Sequence, residues 1–257
     1  MVRFDAPAAR DTDRSYLDPE IVKQRLLTLS ALALDAGNSV LDAGCGTGLL
    51  TALMSAQVGQ TGQVTGFDQS PHMLELAAKR CDALGNVELY QGDICNLEFN
   101  TDSFDAASCI QTLLYIEDVD SALRELYRVL KTGGRLGIIE TDWHGLVING
   151  ADYALTRKIT DAWDATVPSP NLPPRLMPLL RQAGFKAISV QAIPIINASY
   201  NKSGYGASMI RYMAKNAVKQ EFINQQKADQ WTQELQALSE QQSFFFSINR
   251  FLFTAVK

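Results

Sequence analysis

The segment Asp42-Ala43-Gly44-Cys45-Gly46-Thr47-Gly48 constrains this chain more than any other. It follows a short apolar run, Ser39-Val40-Leu41-Asp42-Ala43, and precedes Leu49 to Val58, where helical periodicity resumes. Glycines between a buried strand and a helix let the backbone come close to a ligand and leave N–H groups pointing outward. Asp68 ends the next apolar run about twenty residues past the last glycine, where a carboxylate can accept from both hydroxyls of a ribose. The dinucleotide fingerprint needs its third glycine or alanine at position 49, but that position is Leu49 and the glycine arrives one residue early at Gly48. The context is that of a nucleotide-type loop, and this displacement decides against NAD.

The surrounding pattern agrees. An amphipathic helix spans Asp18 to Leu34, with Asp18 as N-cap and Pro19 at its first position. Strands are expected at Gln63 to Asp68, Val87 to Tyr90, Phe104 to Ile110 and Gly134 to Glu140. Helices are expected at Pro71 to Leu84 and Val119 to Leu130, and the turn Lys131-Thr132-Gly133-Gly134 closes the second. Short strands alternating with helices imply right-handed βαβ units in a doubly wound, Rossmann-like α/β sheet, mostly parallel. Beyond Trp143 the rhythm changes to a helical stretch near Ala151 to Asp164, a proline-rich link, a short helix Arg175 to Ala183, a strand Lys186 to Ile196 and mostly helical sequence from Ser203 to Ser239. The aromatic-rich end, Phe244 to Phe253, is β-prone and reads as the antiparallel last of seven strands. The organisation expected is an N-terminal helical segment over 1–35 and a ligand-binding domain over 36–257, with helical cap or lid insertions at about 145–183 and 200–240.

Bulk properties exclude several classes. A length of 257 residues with 46% hydrophobic content can bury a substantial core, and extended disorder is not expected past the first dozen residues. The net charge of −5, with no Lys/Arg cluster, speaks against nucleic acid as partner. Cys45, Cys81, Cys95 and Cys109 form no C-x-x-C pair and have no histidine at zinc spacing, so no metal site is expected. Met1 to Arg14 lacks the apolar stretch of a signal peptide and no uncharged apolar run of membrane-spanning length occurs, so a cytoplasmic protein without a membrane span is expected.

The chain resembles the class I S-adenosylmethionine-dependent methyltransferases, in particular the ubiquinone and menaquinone biosynthesis group, also described as methyltransferase type 11. The likeness is carried by Val40 to Gly48, Gly66-Phe67-Asp68-Gln69-Ser70-Pro71-His72-Met73-Leu74, Gly92-Asp93-Ile94, Ser103-Phe104-Asp105 and Leu126 to Arg135, and it is clear from about residue 38 to 142. The resemblance implies S-adenosylmethionine as cofactor and S-adenosylhomocysteine as product. It implies that Asp42, Gly44, Cys45 and Gly46 form the loop under the methionine and ribose, that Asp68 holds the ribose, and that Gln69 and Met73 pack beside the adenosine. Gly92, Asp93 and Ile94 would frame the adenine, and Gln111 would lie beside the methionine end. Tyr16 and Arg25 either close over that same end or pack on the surface.

Methyl transfer from a sulfonium depends mainly on alignment and exclusion of water, so a base is optional. Candidates must lie at the carboxyl ends of the strands, which leaves Asp142, His144 and Tyr115. Loop histidines are also commonly solvated, and aromatic residues such as Trp143, Tyr205, Tyr212 and Phe222 either line an acceptor pocket or belong to the core. The leading expectation is O-, N- or C-methylation of a small-molecule metabolite by a monomer or homodimer. The alternatives are a cofactor-binding regulatory protein without methyl transfer and a protein or RNA methyltransferase.

Overall fold

The computed structural model describes residues 5–150 and 152–257. The parallel half of the sheet is built from β1 (Ser39–Ala43), β2 (Gln63–Asp68), β3 (Val87–Gln91), β4 (Phe104–Ile110) and β5 (Leu130–Thr141). They alternate with α3 (Leu49–Val58), α4 (Pro71–Cys81) and α5 (Val119–Val129), and α2 (Pro19–Leu32) precedes β1. The sheet runs β3-β2-β1-β4-β5 and continues through the antiparallel β8 (Phe246–Val256). The outer edge of β8 pairs with β7 (Lys186–Asn197), while the two-residue β6 (Val147–Ile148) extends its inner edge beyond the end of β5. The seven expected strands are therefore joined by this short eighth one, which periodicity cannot register at two residues.

The central strands β1, β2 and β4 are buried on both faces, as the middle of a parallel sheet requires, while β3 and β7 at the edges are largely exposed. Along β1, Val40 packs with Leu32, Leu50, Met54 and Val58 of α2 and α3. Its neighbour Leu41 points the other way, to Leu123 and Leu126 of α5 and to Leu176 and Leu180 of α7 (Pro173–Ala183). The α7 helix thus belongs to the layer covering the sheet rather than to a cap, and Gly184 ends it in a left-handed conformation, φ +106°. What remains of the expected cap is α6 (Tyr153–Asp164), α8 (Tyr205–Lys219) and α9 (Gln225–Glu240), which share a second apolar cluster centred on Trp163, Trp231 and Met213. The expected start of the first of these at Ala151 lies outside the described residues, as do Met1 to Phe4.

Two local readings change. The turn expected over Lys131 to Gly134 is counted with β5, which pairs Leu130 with Phe104 and then shifts register to Arg135 opposite Ala106. At the chain start, the helix located from Asp18 is preceded by another, α1 (Ala6–Ser15), capped by the Asp5 side chain and carrying proline in its first turn. That capping signal was present in the sequence. A helix of 10 residues has little stability alone and is held here by packing onto α4.

Candidate functional site

The order of neighbours reverses at β1, between β2 and β4, and the carboxyl ends of these strands open into a cavity at that switch point. Residues 39–43 of β1 pair in register with 63–67 of β2, which brings the glycine loop beside the end of β2. The loop then spends its N–H groups on that neighbour. Gly44 and Cys45 both donate to the Phe67 carbonyl, at 2.7 and 3.0 Å, and Gly46 donates to Asp68 Oδ2 at 2.9 Å. Gly48 donates to the Cys45 carbonyl at 3.0 Å. The expectation of outward-pointing N–H groups is therefore corrected at these four positions: the loop offers the ligand close backbone approach but none of these donors.

Two glycines do different work. A side chain at Gly44 would occupy the place of the Thr112 hydroxyl, whereas one at Gly46 would meet no protein atom within 4 Å. Both have left-handed φ, +77° and +54°. Gly44 lets two loops touch, and Gly46 leaves the cavity open.

Around this loop the structure gathers every residue expected to hold the cofactor. Tyr16, Arg25, Asp42, Gly44, Cys45, Gly46, Asp68, Gln69, Met73, Gly92, Asp93, Ile94 and Gln111 all line the cavity. Asp42 is almost wholly buried and accepts from Thr51 Oγ1 and Ser108 Oγ, each at 2.6 Å, so it ties β1 to α3 and β4. Burial pushes its carboxyl above the usual range, against those two hydrogen bonds. Asp68 is raised for the same reason; besides Gly46 it accepts from Ser70 N at 2.8 Å through Oδ1. The Gln69 backbone also hydrogen-bonds to this carboxylate. Asp93 accepts from Cys95 N at 2.9 Å, and Ile94 is buried beside it.

The base candidates separate. Tyr115 lines the cavity, and burial pushes its hydroxyl well above the ordinary tyrosine range, so at neutral pH it remains protonated. Asp142 and His144 lie in the 3-10 turn after β5, outside the lining. His144 is exposed and faces Asp164 at 3.4 Å. The aromatic side chains Trp143, Tyr205, Tyr212 and Phe222 also lie outside it; Trp143 and Tyr212 pack edge-on against Trp163.

Several lining residues had no sequence signal. Thr12 comes from α1, Gln24 from α2 and Thr112 from the segment after β4. The Asp13 carboxylate of α1 accepts from Thr47 Oγ1 at 2.6 Å and from Arg80 of α4 at 2.9 and 3.1 Å, while Arg80 also donates to the Thr47 carbonyl. One carboxylate thus fastens α1 over the glycine loop. Beside it, Arg25 is nearly buried and donates to the Tyr16 carbonyl at 2.7 Å. Deeper in, the buried Arg250 guanidinium donates to Gln24 Oε1 at 2.6 Å and to the Tyr205 hydroxyl at 2.8 Å.

Residues 40–134 match the model of the family described as the methyltransferase domain. The demethylmenaquinone methyltransferase of Staphylococcus epidermidis is 39% identical over 127 residues, covering 49% of this chain and 53% of that one. The chain spans about half the length of the curated relatives it matches. Among solved structures, a phosphoethanolamine N-methyltransferase from Haemonchus contortus in complex with S-adenosyl-L-methionine superposes with a TM-score of 0.65 at 20% identity, covering 99% of this chain and 57% of that one. The [4+2]-cyclase SpnF superposes at 0.59 with 24% identity over 91% of this chain and 80% of its own. These structural likenesses establish a Rossmann-like α/β fold. Among the described residues, no helix is long and apolar enough to cross a membrane.

Proposed function

We propose that this chain, whose residues 40–134 match the methyltransferase domain, is an S-adenosylmethionine-dependent methyltransferase acting on O, N or C of a small-molecule acceptor. The observation that carries the reading is the glycine loop itself. A phosphate-binding loop presents free N–H groups to its ligand. Here those of Gly44, Cys45, Gly46 and Gly48 are consumed internally, while Gly46 opens onto the cavity and Asp68 stands beside it. Such a site suits a ligand with a ribose and no phosphate, and an adenosyl sulfonium fits that description.

Asp68 would accept from the ribose hydroxyls, Gly92 to Ile94 would flank the adenine, and Arg25 would pair with the carboxylate of the methionine tail. The cofactor supplies an electrophilic methyl group. This chain's part is to align that group with the acceptor and exclude water, with Tyr115 as a neutral hydrogen-bond donor rather than a proton acceptor.

Calorimetry with S-adenosylmethionine and S-adenosylhomocysteine tests the first half, and no binding at high micromolar protein sinks it. Within that experiment, Asp68→Ala is expected to weaken binding by about 1.5–3 kcal/mol, because charge-assisted bonds to the ribose disappear; an unchanged dissociation constant contradicts the ribose assignment. Arg80→Ala is expected to release α1 and speed S-adenosylhomocysteine dissociation roughly fivefold in stopped flow, the worth of about 1 kcal/mol for a partly exposed pair.

A cofactor-binding protein that transfers no methyl group is the competing reading, favoured by the position of Asp142 and His144 outside the lining. Release of S-adenosylhomocysteine from a metabolite pool, above the cofactor's own hydrolysis, dismisses it. A protein or RNA acceptor fits poorly with the acidic balance of the chain.

A further inference from the structure

We infer that Glu140, a side chain outside the cavity lining, is the positioning residue for the amino-acid end of the cofactor, acting through the segment Gln111 to Tyr115. The inference rests on the methyltransferase reading and adds to it a residue that the cavity walls do not reveal.

Glu140 stands at the end of β5 and is completely buried. Its Oε1 accepts from the backbone of Thr112 at 3.0 Å and of Leu113 at 2.7 Å, the residues that turn the chain out of β4. Its Oε2 has no hydrogen-bond partner among the described residues. The turn it holds is unfavourable on its own: Gln111 is a non-glycine residue at φ +53°, a conformation costing roughly 1–2 kcal/mol. Gln111 is held there by its own N–H to Ile139 O at 2.7 Å and by Thr141 Oγ1 donating to its side chain at 2.5 Å. The result is that Thr112 rests directly on Gly44, so the two loops form one continuous wall.

The order of the strands gives this wall its place along the ligand. Gly92 to Ile94 follow β3, Asp68 ends β2, Gly44 follows β1 and Gln111 and Thr112 follow β4. A ligand with its base at the first of these and its sugar at the second extends across β1 and ends its tail at β4. Removing the Glu140 carboxylate leaves buried N–H groups without acceptors, and the segment that meets the tail shifts to satisfy them. Sites nearer β3 keep their own bonds, such as Gly46 to Asp68.

A glutamine would accept the same two bonds, so the role lies in the acceptor oxygen that Glu140 offers to Thr112 and Leu113. The groups facing it are Arg250 from β8, Tyr115 from the turn after β4, Tyr16 from the link between α1 and α2, and Cys109 from β4.

The test compares two probes on the full chain: S-adenosylhomocysteine, which has the amino-acid tail, and 5′-methylthioadenosine, which lacks it. Glu140→Ala is expected to weaken the first at least tenfold and the second less than twofold, with Glu140→Gln recovering most of the lost affinity. Equal losses on both probes, or an unchanged affinity for S-adenosylhomocysteine, overturn the proposal. Should Glu140→Ala not fold, Thr141→Val, which cuts the side-chain tether on Gln111, must show the same selective loss or the proposal falls. Unmutated protein that binds neither probe removes the methyltransferase reading itself, an outcome distinct from any result on the variants.

Discussion

Gly46→Val is expected to abolish binding of S-adenosylmethionine and S-adenosylhomocysteine, a loss of more than about a thousandfold or roughly 4 kcal/mol, in a protein that still folds. A Cβ built at Gly46 meets no protein atom within 4 Å, so the added side chain projects into the cavity where the ligand must lie. The left-handed φ of +54° adds backbone strain of roughly 1–2 kcal/mol, less than the stability of an ordinary domain. Gly44→Ala is the informative contrast. Its methyl group would collide with Thr112, so it is expected to lower the melting temperature as well. Calorimetry and a thermal melt on both variants separate the effects; tight binding by Gly46→Val would show that the ligand lies elsewhere.

The second large effect is on stability as a function of pH. Burial pushes the Glu140 carboxyl up to about 8 from its usual 4.5, against the hydrogen bonds from Leu113 and Thr112 that favour ionisation. Between those two values the unfolded chain has released this proton and the folded chain retains it. The contribution is therefore full below about pH 4.5, and stability is lost as pH rises toward about 8, by on the order of 5 kcal/mol in total. Glu140→Gln has no proton to lose. Its melting temperature relative to the unmutated protein is expected to climb by about 10 °C between pH 5 and pH 8.5, at roughly 2–4 °C per kcal/mol. Other titrating groups, Asp42 and Asp68 among them, cancel in the difference. A pH-independent difference would mean that Glu140 is already ionised in the folded protein.

Both predictions concern residues that the sequence treats very differently. Gly46 was legible because its strand, loop and helix are consecutive and the acid that answers it ends the next strand. The residues expected to hold the cofactor were legible for the same reason: apart from Tyr16, Arg25 and the α4 residue Met73 they sit at or just after strand ends, and periodicity locates strand ends. Glu140 was not legible. It reads as one more acid closing a strand, and it is buried only because β8 and the turn after β4 close over it. The same holds for Arg250, whose partners Gln24 and Tyr205 lie 226 and 45 residues away.

Sequence alone determined the parallel α/β architecture and the family of loops at its switch point, since those depend on hydrophobic period and on glycines whose demands are local. Tertiary structure decided which groups the loop N–H donors serve, that α1 covers the glycine loop through Asp13 and Arg80, and that Asp142 and His144 stand outside the cavity while Tyr115 stands within it. The physical reason is that a hydrogen bond or a burial cost belongs to the pair of surfaces that meet, and the sequence specifies such a meeting only through the whole packed fold.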